Sequence, residues 1–234
     1  MTNVVRHPLS LALDRVTIAV ALLATPYHFL TVWAVPHGAT RHYTVHLALM
    51  LILVGLATAR RWADSERRPG KAGGAAIVLF LLLAATLTGF LYVEDSRLEM
   101  TQPWLTTTDV VVGILLVFVV LWATYLTWGW ELTLWCAVCI PYFFWGDRLP
   151  SVLWHVEMAP MIVLSYLAGM GAPRGVFWGM PLSAETVFLL LVYGGLLHGA
   201  RVIEMFVEIG KAAGNLVRGG IAYSAVVASS LVAM

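Results

Sequence analysis

Charge is what this sequence has least of. Only 12% of its 234 residues are Asp, Glu, Lys or Arg, against 60% apolar residues, whereas soluble domains carry about 25% charged residues. That shortage excludes a water-soluble globular protein and reads as an integral membrane protein. Acid and base balance to a net charge of +1, so neither the basic footprint of a nucleic-acid binder nor an acidic tail is present. No apolar stretch alternates with period two, which excludes the strands of a membrane barrel. No hydrophilic stretch is long enough to hold a core of its own. The predicted fold class is therefore all-α, a polytopic membrane helix bundle, and no enzyme activity is expected of it.

What is present is a series of charge-free runs. None of Asp, Glu, Lys or Arg occurs between Arg15 and Arg41, from Ala72 to Val93, or from Val110 to Trp130, and each run reaches the roughly 20 residues a helix needs to cross a bilayer. A shorter run, Val45 to Ala59, spans if its ends snorkel. Leu132 to Trp145 and Leu182 to Ala200 add two weaker segments, for about six crossings in all. The first run is too long for the apolar region of a signal peptide and lacks a small-x-small cleavage site after it, so it is read as a retained helix.

Basic residues orient these crossings. With the N-terminus cytoplasmic, the inside segments hold Arg6, Arg15, Arg60, Arg61, Arg67, Arg68, Lys71, Arg201, Lys211 and Arg218, and the outside ones only Arg41, Arg97, Arg148 and Arg174. That bias of ten to four predicts both termini in the cytoplasm, and leaves the acidic stretch Glu94 to Glu99 as an outside loop.

The one hydrophilic linker, Arg60 to Gly74, separates two helical hairpins. Four crossings end near Trp128, and Gly129 with Trp130 connects tightly into the next helix. Asp147 to Met180 is interrupted by Pro150, Pro160 and Pro173, with Pro181 just beyond. It is too apolar to float free and too broken to be one straight span, so it is expected along the membrane surface or against neighbouring helices. Arg201, Glu204, Glu208 and Lys211 then recur on one face of a helix from Arg201 to Leu216, opposite Val202, Ile203, Phe206, Val207 and Ile209, a pattern suited to the interface plane. Trp128, Trp130, Trp145, Trp154 and Trp178 match the aromatic belts at membrane helix ends.

Tyr142, Gly146, Leu149, Pro150 and His155 stand in order, followed by Gly175 Val176 Phe177, Ser183 Ala184, Tyr193 Gly194 Gly195 Leu196 Leu197, Arg218 Gly219 Gly220, and Ala225 Val226 Val227 Ala228 Ser229. In this order they resemble the opening of the large membrane subunit of a TRAP (tripartite ATP-independent periplasmic) transporter of the TAXI type, in which small and large subunits are fused. His46 and Asp109 fit the small-subunit half of that family. Ile221 and Tyr223 depart from its usual Pro and Lys, and Ala233 from its usual Gly.

The resemblance implies a four-helix small-subunit-like domain over residues 1–128 and the beginning of the large permease domain over 129–234. It implies sodium-coupled uptake of an organic acid delivered by a periplasmic binding protein, in a bacterial or archaeal inner membrane. In the family the AVVxS run leads into a Gly/Ser-rich hairpin whose unwound backbone helps bind sodium and substrate, a familiar use of broken helices. That hairpin and the inverted second half would come after Met234. The chain is thus expected to be incomplete alone, to need the rest of the large subunit as a partner, and to leave its substrate and ion contacts unknown. Ser229 and Ser230 lie nearest the implied hairpin. A non-transport membrane scaffold or accessory protein is the alternative.

Three constellations remain. Cys136 and Cys139 form a CxxC, the spacing of redox pairs, but within an apolar helix whose nearest charge is Glu131, so packing is expected of them rather than thiol or metal chemistry. His28 falls mid-membrane on the first helix, His42 and His46 near the outer start of the second, and His198 near the inner end of the sixth. No two are then level enough to ligate a haem, and no metal or cofactor is expected. Glu185 is read as a first-turn acid of a helix capped by Ser183, with an intramembrane acid coupled to transport as the other reading.

Overall fold

A computed structural model describes residues 8–34, 38–65, 70–170 and 174–215. Arg6, Arg67, Arg68, Pro173, Leu216 and everything from Arg218 onward, including Ser229 and Ser230, lie outside the described residues. Eight α-helices and no strand occur among them: α1 (Pro8–Trp33), α2 (Ala39–Asp64), α3 (Lys71–Thr101), α4 (Thr107–Trp128), α5 (Trp130–Trp145), α6 (Pro160–Ala168), α7 (Phe188–Gly199) and α8 (Val202–Asn215). The all-α bundle anticipated from composition is what the chain forms.

Five stretches are long and apolar enough to cross a membrane, namely α1 to α4 and Gly175–Gly199. The sixth expected crossing falls short. Helix α5 has 16 residues, about 24 Å at 1.5 Å per residue against a hydrocarbon layer of about 30 Å. The third crossing is longer than its apolar run: α3 continues through Glu94 to Glu99 and ends at Thr101, so that acidic stretch is helix and not loop. Nothing in it breaks a helix before Pro103, and its Asp95 and Arg97 find partners on neighbouring helices.

The chain divides into two compact units after Glu185. In the first, α2 is the central helix, packed against α1, α3 and α4. Its Gly55 lets Phe80 and Leu81 of α3 come within contact of the α2 backbone, the small-residue device by which membrane helices approach when lipid is as apolar as their partners. Helix α1 is largely exposed: only Ser10, Ala24 and His28 are buried, while Leu22, Leu23 and Leu30 are exposed. Its inward stripe is small and polar and its outer face apolar, the reverse of a soluble helix.

Ion pairs tie the helix ends. Arg60 meets Asp14 at 2.7 Å at one end, and Arg41 reaches Asp95 at 3.4 Å at the other. Beside the latter, Arg97 donates to both oxygens of Asp109, 3.0 and 2.7 Å away, and also pairs with Glu94. The Asp109 side chain is wholly buried and closes a capping box at the start of α4: its backbone N–H donates to Thr106 Oγ1, and its Oδ2 accepts from the Thr106 backbone N–H and hydroxyl.

The Pro-broken stretch after α5 folds back against its neighbours, as anticipated. Two short 3₁₀ turns, Gly146–Arg148 and Ser151–Leu153, lead into α6, which packs on α4. There Gly113 leaves room for Met170, Ala168 and Leu164, and a Cβ at Gly113 would lie 3.1 Å from the Met170 methyl. The second unit holds α7 and α8, joined through Ala200 and Arg201, where Arg201 takes a left-handed φ of 58°. Along α8 the exposed pairs Arg201–Glu204 and Lys211–Glu208 close at 2.7 Å, matching the charged face read from the sequence.

Candidate functional site

Polar side chains buried in a membrane protein are costly and therefore informative. In the first unit three of them, His28, His42 and His46, meet where α1 and α2 face the segment after Pro181, joined there by part-buried Ser183 and exposed Glu185. Helix α1 contributes Tyr27 and His28, α2 contributes His42, Tyr43 and His46, and the π-helical segment Leu182–Val187 contributes Ser183 and Glu185.

The histidines are level, which corrects the expectation that His28 lies at mid-membrane and His46 near a surface. Helix α1 stops at Trp33 and α2 starts at Ala39, so His28 and His46 stand five and seven residues from the facing ends of one hairpin. His28 Nε2 lies 2.9 Å from His46 Nδ1, and the rings meet edge-on with centroids 5.1 Å apart. His28 Nδ1 donates to the Ala24 carbonyl at 2.8 Å. On its other side His46 Nε2 is 2.9 Å from Ser183 Oγ. Both rings are 1% exposed.

His42 packs beside His28 with ring centroids 5.5 Å apart. Its Nδ1 is 3.1 Å from the Tyr27 hydroxyl, and its Nε2 is buried without a hydrogen-bond partner. Tyr43 donates to Glu185 Oε1 at 2.8 Å. Ser183 and Glu185 are thus both bound to α2: Glu185 lies in the first turn of its segment, as expected, whereas Ser183, whose backbone N–H donates to the Gly179 carbonyl, lies inside the turn rather than capping it. Leu182–Val187 is wound as a π-helix, and positions 183 and 185 on it meet α2.

This arrangement can hold and orient protons. It is poorly shaped for haem, because two axial nitrogens need about 4 Å between them at metal–nitrogen distances near 2.0 Å, and His28 and His46 are 2.9 Å apart. Among the described residues no group of three His, Cys, Asp or Glu side chains is disposed to hold a metal ion. Cys136 and Cys139 are free thiols on the exposed side of α5, and His198 sits in the last turn of α7.

The shared-pattern residues do packing work. His155 Nε2 donates to the Tyr142 carbonyl at 2.9 Å and Nδ1 to the Val156 carbonyl at 2.7 Å. Carbonyls only accept, so both ring nitrogens must carry hydrogen, and the His155 pKa is raised first by the Tyr142 bond and then by the Val156 bond. Gly146 lies under that ring with no room for a Cβ. Gly175 has φ 49°, and a Cβ there would run into the Tyr166 and Leu167 carbonyl oxygens.

Sequence reasoning noticed each histidine but not their meeting. The signal was Pro36 and Gly38, turn-forming residues inside the charge-free run, on whose two sides α1 ends at Trp33 and α2 starts at Ala39. Compared with known proteins, the chain matches no family model, no curated protein and no solved structure.

Proposed function

We propose that this all-α membrane protein is a permease component of a TRAP-type secondary transporter of the fused TAXI kind. In that assignment it serves sodium-coupled uptake of an organic acid that a periplasmic binding protein delivers at the inner membrane. Residues 1–128 are the small-subunit-like brace and residues 129–234 begin the large subunit.

The observation that carries this reading is the ordered set of residues from Tyr142 to Ser229. What supports it is where the described members of that set lie. Gly146 and Gly175 are positions that tolerate no side chain, His155 locks Tyr142 to Val156, and Phe177 and Ala184 are buried at 1% exposure. Gly146, Gly175, Phe177 and Ala184 are packing positions, the least free to vary.

The test is to express the tagged chain in its native membrane and identify the proteins that stay bound to it through mild detergent extraction. Co-purification of a periplasmic binding protein, with sodium-dependent uptake by membranes that hold both, is the expected result. A chain recovered stable and unpartnered, with uptake unchanged in its absence, would overturn the reading in favour of a scaffold or accessory protein.

A further inference from the structure

The hydrogen bonds around His28 and His46 have a direction, set at one end. The Ala24 carbonyl can only accept, so His28 carries its hydrogen on Nδ1. When His28 is neutral its Nε2 is then a bare acceptor. The partner at 2.9 Å must donate, which puts the His46 hydrogen on Nδ1. A neutral His46 is consequently bare at Nε2, and the Ser183 hydroxyl donates to it at 2.9 Å. The neutral chain runs from Ser183 through His46 and His28 to Ala24 with one orientation throughout.

From this geometry we propose that the His28–His46 pair is a binding site for a single proton, entered from Ser183. The proton, taken from water, forms an N–H bond at His46 Nε2, and the O–H···N bond from Ser183 is replaced by an N–H···O bond to it. The proton can then shift across the 2.9 Å gap from His46 Nδ1 to His28 Nε2. In either position His46 Nε2 keeps its hydrogen and donates to Ser183. A second proton finds no place, because His28 Nε2–H and His46 Nδ1–H would both point into the same gap. The pair therefore titrates as one coupled unit.

The surrounding groups allow the charge. Tyr27 and His42 flank His28 from α1 and α2, and Tyr43 on α2 holds Glu185, two residues beyond Ser183, at 2.8 Å. Arg41, Asp95 and Tyr92 lie one layer further along, where Arg41 is engaged with Asp95 and stacks over Tyr92. Uptake of the proton reverses the polarity of the His46–Ser183 contact, on the segment that also carries Glu185. This site stands independently of the permease assignment.

The experiment is nitrogen-15 spectroscopy of the full chain, labelled at histidine, in lipid nanodiscs between pH 4 and pH 8.5, with His28→Gln and His46→Gln to assign the two rings. At the alkaline end both rings are expected as the Nδ1–H form. On acidification one proton is taken up per pair, with both rings responding at one midpoint. Ser183→Ala removes the acceptor of the charged form and is expected to lower that midpoint by about one pH unit, a tenfold weaker proton affinity, while Ser183→Thr keeps it. An Nε2–H ring at pH 8.5, two separate uptake steps, no uptake by pH 4, or a midpoint unmoved by Ser183→Ala would each overturn the site. The tautomer measurement on the unaltered chain decides the matter even where a variant fails to fold.

Discussion

Arg97 and Asp109 should be unequal partners in stability. The Asp109 side chain is 0% exposed and that of Arg97 37%, so truncating each strands a different charge. Arg97→Ala leaves a buried carboxylate, for which breaking one side of a buried pair costs about 3–5 kcal/mol. Because the Thr106 backbone N–H and hydroxyl still donate to it at 2.9 and 2.8 Å, the lower end, about 3 kcal/mol, is expected. Asp109→Ala strands a guanidinium that already reaches solvent and keeps Glu94. Its losses are the α4 cap, about 1 kcal/mol, and an ion pair screened on the arginine side, about another 1. The double variant strands neither charge and should cost about the same 2 kcal/mol as Asp109→Ala, far below the sum of the singles. Unfolding in mixed micelles, followed by helical circular dichroism against denaturing detergent, measures all three. Asp109→Ala costing more than Arg97→Ala, or an additive double variant, would refute the reasoning.

Gly175→Ala forces a Cβ into the Tyr166 and Leu167 carbonyl oxygens at a left-handed φ and should cost about 2 kcal/mol or more, whereas Gly179→Ala, with open space around it, should stay within about 0.5 kcal/mol; the same detergent titration compares them. Gly113→Leu should drive α6 off α4 at a cost of about 1–3 kcal/mol, read as faster hydrogen exchange in Pro160–Ala168. The His155 clasp has a defined pH sense. Its folded pKa is raised by the Tyr142 and Val156 bonds, so the stability it adds is fully present below the unfolded value near 6.5 and is lost as pH rises through the folded value. Protease cutting between Gly146 and Ala159 should therefore increase as pH rises from about 6.5 upward, and His155→Gln should flatten that dependence.

How much was legible in the sequence depends on which forces leave a local trace. The hairpins of α1 to α4 were, because the bilayer excludes charge and each charge-free run records a span. Helix ends were not, wherever charge was used as the marker. The run from Arg15 to Arg41 contains both the end of α1 and the start of α2, and taking its centre as mid-membrane separated His28 from His46. The run ending at Val93 hid two further turns of α3, whose Asp95 and Arg97 are tolerated in helix because Arg41 and Asp109 pair with them. Ser183 looks like a cap and Glu185 like a first-turn acid one residue at a time. Their bonds to α2 from the π-helical Leu182–Val187 are tertiary contacts that leave no local trace.

The join between α2 and that segment has a consequence for how its position is fixed. Apolar contact discriminates weakly between helix and lipid, so specificity within a bilayer falls to close packing and to directional bonds. Ala184, buried to 1%, supplies the packing, and Tyr43–Glu185 and His46–Ser183 supply the bonds. Bonds of this kind average about 0.6 kcal/mol in membrane proteins, too little for two of them to dominate the stability of the bundle. It is enough to select one register of Leu182–Val187 against α2, since a shift by one residue would carry both polar side chains away from their partners together. The contact is thus weak in energy and sharp in geometry.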